Sequence, residues 1–455
     1  MGSLNHMHDP RLRSWVTQAN AADCDFPIQN LPFGIFRRVA GARARGGVAI
    51  GDRILDLEAA LDAGLFSGPA ALAAQAGSAE TLNPLLAADP HAVSCLRAAI
   101  SQLLRVDGEQ SDRARALSSR LLVPMSSVQM ELPVAIGGFT DFSCSYTHMA
   151  GMRGGKPVTA FYYLPIAYNG RASSVRVSGT PVKRPVGQWA RIPPEEDLSF
   201  GPEPRLDFEL ELGAFVSRPN ELGSTLGVDE AGERIFGCCL VNDWSARGIQ
   251  FFESILGPFL GKSFLTSISP WIVTMEALEP FRVPLPARAA DVPPIPAHLD
   301  SPSNRQLGGL NLELTAELQT ARMRSEGIPA RRIVRTNFKH MYWTLAQMLA
   351  HHASNGCNMQ TGDLFASGTT SGPEPDAKAC LVEINERGTR PIELPTGERR
   401  LWLEDGDMLQ IRGRAQRDGY VPIGFGACDG LIVPATPLPV ANSPSIPSPA
   451  AQLPA

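Results

Sequence analysis

Apolar and acidic residues alternate without a break through residues 206–212, which read LDFELEL. Side chains of a β-strand point alternately to its two faces, so the leucines and the phenylalanine would enter a core while the three acids share the other face. Those acids are Asp207, Glu209 and Glu211. They are either the solvated face of an antiparallel sheet or the ligands of a hard divalent cation, since carboxylates on one face repel each other unless a positive charge lies among them. The pattern predicts β structure and leaves both interpretations open.

The overall composition excludes several classes of protein. The chain has 455 residues, 44% of them hydrophobic and 19% charged, with a formal net charge of -5. This length suits two or three domains, and the mild acidity without a Lys/Arg run argues against binding nucleic acid or a membrane surface. Residues 1–15 lack the apolar segment of a secretory signal, and no window approaches the length of a membrane span. The eight cysteines form no C-x-x-C pair and no Cys/His cluster at zinc spacing, which predicts reduced thiols and a cytoplasmic location.

The amino-terminal part of the chain combines short strands with helices. Residues 33–57 alternate as strands, with a hairpin turn predicted at residues 50–54. Residues 67–120 are rich in Ala, Leu and Ser, and their apolar side chains fall on one helical stripe around residues 93–104. We therefore predict a first domain over residues 1–123.

From residue 124 onward, Gly, Pro and short β-like runs indicate a larger β-rich domain that extends to residue 433, with loops that carry the chemistry. One helix is predicted inside it, because apolar residues recur at helical spacing from Phe338 to Leu349 and Asn355-Gly356 follows. Residues 434–455 contain seven prolines and little that could pack, which predicts a disordered tail.

Two loops bring together residues suited to chemistry. Asp141 and His148 are close enough in sequence to converge from a strand end and the turn after it, although a structural histidine is the alternative. Residues 256–263 superficially resemble a phosphate-binding loop, but they have one residue too few between the glycines and Pro258 lies inside the loop. We therefore reject nucleotide binding and interpret Lys262 as a buried cation near acids.

A third candidate segment follows the apolar strand that ends at Val241. If a helix begins at Asp243, Arg247 and Gln250 point the same way from it. The alternative is an N-capping aspartate with a surface arginine and glutamine.

Taken together, these segments resemble the fumarylacetoacetase family along nearly the whole chain, from residues 25–32 to residues 424–426. The most specific stretches are 170–174 (GRASS), 242–247 (NDWSAR), 257–263 (GPFLGKS), 355–358 (NGCN) and 366–369 (ASGT). The resemblance implies a mostly β, α+β fold, with an SH3-like amino-terminal domain and a mixed β-roll catalytic domain. It also implies a homodimer and a divalent metal, Mg²⁺ or Ca²⁺.

Residue by residue, the resemblance implies metal ligands and their neighbours at Asp141, Glu209, Glu211, Asp243, Lys262 and Thr266. It implies that His148 is the catalytic base and that Glu383 orients it, since an imidazole fixed by a carboxylate can take a proton from water near neutral pH. The candidates to stabilise a developing oxyanion are Arg247, Gln250 and Lys262. The implied substrate-binding positions are Ser143, Arg153, Tyr168, Gln250, Ser254 and Thr369.

The implied reaction is hydrolysis of a carbon-carbon bond in a β-diketo acid, with 4-fumarylacetoacetate giving fumarate and acetoacetate at the end of tyrosine and phenylalanine breakdown. Ser143 and Ser254 stand where the family has pocket tyrosines, and the segment from His148 to Arg153 is shorter than in the family. The substrate is therefore either fumarylacetoacetate, with loop shifts that restore contacts, or another β-dicarbonyl compound or acylpyruvate that is hydrolysed or decarboxylated. A non-enzymatic descendant of the fold is a further alternative, and the retained acids argue against it.

Overall fold

The computed structural model describes residues 4–39, 41–190 and 198–437. The predicted tail, residues 434–455, lies outside the described residues from 438 onward. In chain order the strands are β1 (Phe33–Arg37), β2 (Arg45–Ile50), β3 (Arg53–Asp56), β4 (Leu122–Pro124), β5 (Gln129–Glu131), β6 (Phe139–Ser143), β7 (Ile166–Asn169), β8 (Val175–Val177), β9 (Val182–Lys183), β10 (Val186–Ala190), β11 (Leu198–Pro202), β12 (Leu206–Asp207), β13 (Leu210–Val216), β14 (Ile235–Asp243), β15 (Ser245–Ala246), β16 (Thr266–Ile268), β17 (Trp271–Thr274), β18 (Arg282–Val283), β19 (Gly309–Leu310), β20 (Leu312–Gln319), β21 (Arg331–Asn337), β22 (Leu364–Ala366), β23 (Ile392–Glu393), β24 (Arg399–Arg400), β25 (Met408–Ala415) and β26 (Ile423–Val433).

The α-helices are α1 (Leu57–Asp62), α2 (Gly68–Gly77), α3 (Asn83–Leu86), α4 (Pro90–Leu104), α5 (Ser111–Ala116), α6 (Ser118–Leu121), α7 (Tyr146–Met152), α8 (Val228–Glu233), α9 (Arg247–Glu253), α10 (Met275–Leu278), α11 (Pro302–Leu307), α12 (Ala321–Ser325), α13 (Leu345–His352) and α14 (Leu381–Ile384). Sheets dominate the architecture, so the predicted mostly β, α+β fold is confirmed. Within the described ranges, no helix is both long and apolar enough to cross a membrane.

Local sequence signals explain the amino-terminal elements. The predicted hairpin is confirmed, since β2 and β3 pair across a turn in which Gly51 has a φ of 59°. The predicted helical stripe lies on α4, whose first turn is capped by the side chain of Asp89, and it packs into the core through buried residues such as Leu96 and Ile100. The signals that define these elements, the turn glycine and the capping aspartate, lie within or next to them in sequence.

One sheet of thirteen strands runs through both halves of the described chain, with β1 pairing antiparallel with β17. The same core cluster contains Phe33 and Ile35 from β1 together with Val241 and Ile272 from the carboxy-terminal half. The predicted boundary at residue 123 falls inside β4. That boundary and the SH3-like description stay predictions.

A second sheet, in the order β21-β20-β25-β26-β9, lies in the carboxy-terminal part of the chain, apart from the short strand β9. Alternate residues of β20 are buried, as expected for a sheet with one face on the core. Leu240 and Trp244, from β14 and the residue after it, pack in the same core as Leu314 and Phe425 of this second sheet. The strands of the large sheet that carry the acidic residues therefore pack against this second sheet.

Three local predictions are wrong in their boundaries. The strand predicted over residues 206–212 is broken into β12 and β13, because the carboxylate of Asp207 accepts a hydrogen bond from the next amide, that of Phe208, at 2.7 Å. The helix predicted from Phe338 is a single 3-10 turn, and α13 begins only after Thr344, which forms a capping box with Gln347.

The third correction concerns the interpretation in which a helix begins at Asp243. Asp243 is the last residue of β14, and α9 begins at Arg247. Arg247 and Gln250 are therefore one turn apart at the start of the helix, and Arg247 Nη1 donates to Gln250 Oε1 at 3.0 Å.

Candidate active site

Strand pairing brings the predicted acidic ligands to one end of the large sheet. β13 pairs with β14 on one side and with β22 on the other, and β22 runs parallel to β6 with Ala366 opposite Asp141. Asp141 therefore comes from β6 and Asp243 from the end of β14, while Glu209 and Glu211 lie at the start of β13. All four side chains are buried, with at most 5% of each residue exposed.

Three of these acids form a tight cluster. Carboxylate oxygens of Asp141, Glu209 and Asp243 lie within 4.8 Å of one another, and the charge of the fourth acid, Glu211, acts on this group. Gly368 N donates to Glu211 Oε2 at 3.1 Å. Asp141 Oδ1 and Glu211 Oε1 are buried and have no hydrogen-bond partner among the described residues. Two buried oxygens without donors indicate a position for a cation.

The electrostatics of the cluster point the same way. Burial raises the pKa of Asp141 well above its ordinary value, the charges of Asp243 and Glu209 raise it further, and Lys262 opposes them in part. The pKa of Glu211 is raised for the same reason, first by burial and then by its acidic neighbours. An all-oxygen set of mutually repelling carboxylates fits Mg²⁺ or Ca²⁺, since either cation would relieve the repulsion.

Two buried cations of the chain balance part of this charge. Lys262 Nζ lies 2.6 Å from Glu209 Oε2 and 2.7 Å from Asp243 Oδ2, and Arg247 Nη1 lies 2.7 Å from Glu209 Oε1. Burial raises the pKa of Glu209, but Lys262 and Arg247 outweigh it and the pKa is lowered overall. The interpretation of Lys262 as a buried cation near acids is confirmed.

Two hydroxyl groups complete the surroundings of Asp243. Thr266 Oγ1 donates to Asp243 Oδ1 and Tyr168 Oη donates to Asp243 Oδ2, each at 2.7 Å. Burial raises the pKa of Tyr168 well above its ordinary value, and the charges of Asp141 and Asp243 raise it further. The phenol therefore stays protonated and acts as a donor to Asp243.

Asp207 does not join the other acids, which corrects the expectation that all three acids of residues 206–212 share one face. Its carboxylate accepts hydrogen bonds from Arg247 Nε at 2.8 Å and from the amides of Leu381 and Val382 at 2.7 and 3.0 Å. Asp207 thus fixes both Arg247 and the start of α14. This change of direction coincides with the strand break after Asp207, and no signal in the sequence pattern marks it.

A histidine and a glutamate form a second cluster. His148 Nδ1, on α7, lies 2.8 Å from Glu383 Oε2, on α14, so the two predicted partners are in contact. Their roles as base and orienting acid stay predictions. Burial raises the pKa of Glu383, but the charge of His148 and several hydrogen bonds outweigh it and lower the pKa to about 2. The backbone of Glu209 pairs with Cys380, three residues before Glu383, so the pair lies beside the acidic cluster.

Of the predicted substrate-binding residues, only Tyr168 lines the cavity beside the acidic cluster. A cavity of about 140 Å³ opens onto Tyr168, Asp243 and Lys262, and Arg171 from the GRASS stretch also lines it. Arg171 carried no prediction. A wider groove of about 620 Å³, lined by Asp25, Glu313, Arg412 and others, lies away from this chemistry.

Other predicted substrate positions lie outside this cavity. Thr369 is buried in the loop after β22, and Ser143 Oγ donates to the sulfur of Met149 at 2.9 Å. Arg153 and Ser254 are exposed, and neither side chain hydrogen-bonds to the acidic cluster within the described part of the chain.

Comparison with known proteins identifies the family. The family models described as Fumarylacetoacetate (FAA) hydrolase C-terminal and Fumarylacetoacetase N-terminal match residues 138–432 and 29–133. A fumarylacetoacetase of Oryza sativa subsp. japonica is 43% identical over 436 residues, which cover 94% of this chain and 98% of that protein. A fumarylacetoacetase of Caenorhabditis elegans is 46% identical over 422 residues, covering 90% of this chain and 97% of the other.

A solved structure of fumarylacetoacetate hydrolase from psychrophilic Exiguobacterium antarcticum aligns with 89% of this chain and 99% of its own, at a TM-score of 0.47 and 15% identity. At that score and identity the likeness adds nothing to the assignment. The two family models and the relatives together cover the strands, loops and helices that carry the acidic cluster and the His148–Glu383 pair. The chain belongs to the fumarylacetoacetate hydrolase family.

Proposed function

We propose that this chain hydrolyses the carbon-carbon bond of 4-fumarylacetoacetate to give fumarate and acetoacetate, in tyrosine and phenylalanine breakdown. The observation that carries the proposal is the position of a buried carboxylate cluster beside a His–Glu pair. The carboxylates could hold a cation that polarises the dicarbonyl unit of the substrate, and the histidine could take a proton from water. The relatives named fumarylacetoacetase, similar over at least 90% of this chain, support the choice of substrate.

His148 is the proposed base. Glu383 accepts a hydrogen bond from Nδ1, so Nδ1 carries the proton and Nε2 is free to accept one from water. The oxygen of that water bonds to the carbonyl carbon as its proton passes to Nε2. When the carbon-carbon bond breaks, its electron pair leaves with the acetoacetate fragment as an enolate, which then takes up a proton.

Asp141, Glu209, Glu211 and Asp243 would hold the divalent cation, Mg²⁺ or Ca²⁺, with Lys262 and Thr266 beside them. When bound, the cation would supply Lewis-acid polarisation of the dicarbonyl unit. Metal dependence and the choice between the two ions are proposals, supported by the buried oxygens of Asp141 and Glu211 that lack donors.

Spare hydrogen-bond donors support the proposed oxyanion stabilisation. The ammonium group of Lys262 has three N–H donors. Two of them bond to Glu209 and Asp243, so the third is available to the substrate. Arg247 Nη2 is buried without a hydrogen-bond partner among the described residues, and Gln250 uses its oxygen on Arg247, which leaves the amide nitrogen to donate. Such preorganised donors act where negative charge develops.

Tyr168, Thr369, Gln250, Ser143, Ser254 and Arg153 are proposed to hold the substrate. Arg153 follows α7 directly and is suited to a substrate carboxylate through bidentate hydrogen bonds. Ser143 and Ser254 bring hydroxyls in place of phenols, so they leave more room for the substrate.

The test is the loss of fumarylacetoacetate absorbance with purified protein, in Mg²⁺ and in EDTA, with His148→Ala alongside. We expect rapid, metal-dependent loss in the wild type and at least about a 100-fold slower loss in the variant. Folded wild-type protein that leaves the substrate intact in Mg²⁺ and in Ca²⁺ would reject the assignment.

We also propose that the chain forms a homodimer. Residues 251–260 expose several large apolar side chains, with Ile255 94% and Leu256 101% exposed, and Phe251, Phe252 and Phe259 lie in the same segment. Apolar side chains concentrated in one exposed segment are typical of an association surface. Light scattering after gel filtration should give twice the chain mass of 48.9 kDa, and Leu256→Asp should lower it.

A cytoplasmic location is the last part of the proposal. All eight cysteines are free thiols, which is typical of a reducing compartment. Imaging of a fluorescently tagged full chain tests the location.

A further inference from the structure

We propose that Ser371 is a positioning residue that holds the Glu383 carboxylate against His148. The inference rests on the proposed role of the His148–Glu383 pair as the base that activates water. Ser371 is buried, with 1% of the residue exposed, and lies in the loop after β22. It contacts the elements that carry both members of the pair.

The first contact is made by the Ser371 side chain. Ser371 Oγ donates to Glu383 Oε2 at 2.5 Å, which is the same oxygen that His148 Nδ1 approaches at 2.8 Å, and Cys380 Sγ donates to it at 3.2 Å. Ser371 Oγ also accepts a hydrogen bond from the amide of Ala379 at 3.0 Å. The hydroxyl therefore has one orientation, and this orientation fixes which carboxylate oxygen faces the imidazole.

The second contact is made by the Ser371 backbone. Ser145 Oγ donates to the carbonyl oxygen of Ser371 at 2.6 Å and accepts from the amide of His148 at 3.1 Å. Ser145 is the N-cap of α7, so the start of the helix that carries His148 is tied to Ser371. One residue thus sets the position of His148 through its carbonyl and of Glu383 through its hydroxyl.

The loop that carries Ser371 is itself fixed to the ligand strand. Thr370 donates its amide and its hydroxyl to the carbonyl of Leu210 at 3.0 and 2.8 Å, and Thr336 donates to the carbonyl of Thr370 at 2.7 Å. The position of Ser371 is therefore fixed relative to β13. Because Ser371 contacts Ser145 and Glu383, this position also sets the distance between His148 and the acidic cluster.

The experiment compares Ser371→Ala, Ser371→Thr and Ser14→Ala with the wild type. Ser14 is a matched control, because it is also buried and its hydroxyl donates to the carbonyl of Leu104 at 2.8 Å and accepts from the amide of Val16 at 3.1 Å. We expect kcat for fumarylacetoacetate to fall about 10-fold to 100-fold in S371A, with KM changed less than about twofold. We expect S371T, which keeps the hydroxyl, to recover most of kcat and S14A to match the wild type.

A second readout does not depend on turnover. In protein labelled with ¹⁵N-histidine, the Nδ1–H proton of His148 that bonds to Glu383 gives a downfield resonance, which Glu383→Gln should shift. We expect S371A to move or broaden this resonance and S14A to leave it in place. Wild-type kcat and an unmoved resonance in S371A would overturn the role of Ser371. A wild type without turnover rejects the proposed function, and the resonance still decides whether Ser371 positions Glu383.

Discussion

Lys262 is the residue on which the charge balance of the acidic cluster depends most. Its ammonium lies within 2.7 Å of oxygens of both Glu209 and Asp243, and 5% of the residue is exposed. Burial lowers the pKa of Lys262, but the charges of Asp243 and Glu209 outweigh it and the pKa is raised. The charged ammonium form of Lys262 is therefore favoured at this site.

The first prediction is the effect of Lys262→Met on stability. Removing Lys262 leaves the buried carboxylate of Asp243 without its ion-pair partner and Glu209 with Arg247 alone, so we expect the free energy of unfolding in EDTA to fall by about 3 kcal/mol. Mg²⁺ should restore more stability to the variant than it adds to the wild type, since a cation takes over the lost charge. Urea denaturation measures both quantities, and Lys339→Met at an exposed position is the control. Equal stabilities of variant and wild type in EDTA would contradict the prediction.

The second prediction concerns pH and Glu383. Its folded-state pKa is lowered from 4.5 to about 2, so its stabilising contribution is present above pH 4.5 and is lost as the pH falls towards 2. This shift corresponds to at most about 3 kcal/mol. In Glu383→Gln the contribution is absent at every pH, so the stability difference from the wild type should be large at pH 5.5 and small near pH 2.5.

Urea unfolding in EDTA at those pH values measures the difference, with Glu109→Gln at an exposed position as the control. A difference between wild type and E383Q that stays constant with pH would show that the pKa of Glu383 is not lowered.

At the scale of elements, the loop after β22 depends on a single glycine. Gly368 has a φ of 77°, and a Cβ at this position would lie 2.2 Å from the carbonyl oxygen of Phe142. Its amide binds Glu211, and the residues that follow it are Thr369, Thr370 and Ser371. The observed backbone conformation of the loop therefore requires glycine at position 368.

The third prediction is that Gly368→Ala lowers turnover of fumarylacetoacetate by about 100-fold, because a displacement of about 1 Å in this loop moves the groups it positions. Gly419→Ala is a matched control, since Gly419 has a φ of 84° but open space around its Cα. Both variants should lose about 1 kcal/mol of stability from the backbone conformation alone. Equal turnover by the two variants would show that the close contact between position 368 and the carbonyl of Phe142 does not affect activity.

The elements also show how far a sequence alone leads. The β2–β3 hairpin and α4 were predictable because their turn and capping signals lie within a few residues of them. The start of α9 and the break between β12 and β13 were not, because strand pairing at Asp243 and the partners of Asp207 decide them.

The same division holds for the site. The acids of the cluster and the His148–Glu383 pair could be predicted from an acidic strand and from motifs shared with a family. Ser371 and Asp207 act through contacts with residues up to 226 positions away, such as Ser145, and no local pattern indicates such contacts.

At the scale of the whole molecule, the amino-terminal strands and the catalytic strands belong to one sheet and one core. Phe33 of β1 pairs with Ile272 of β17, and both side chains are fully buried. Phe215 and Val241 of the catalytic strands pack in that same core cluster. Separation of the two halves would expose this apolar surface to water.

The fourth prediction is therefore that the full chain unfolds in one cooperative transition. Differential scanning calorimetry should give a van't Hoff enthalpy per folded unit close to the calorimetric enthalpy. Two resolved transitions would show that the amino-terminal region folds independently. Ile272→Ala, which opens a cavity where the halves meet, should lower the midpoint without splitting the transition, at a cost of about 2 to 5 kcal/mol.

The positively charged side chains within the acidic cluster have a consequence for how the chain folds. Lys262 and Arg247 arrive with the chain itself and already contact Glu209, so closure of the core does not have to wait for an inorganic ion. We expect the proposed divalent cation to bind late, after the chain has folded, and to dissociate without unfolding it. Newly synthesised molecules would then be folded but inactive when the ion is scarce, and they would become active when the ion is available again.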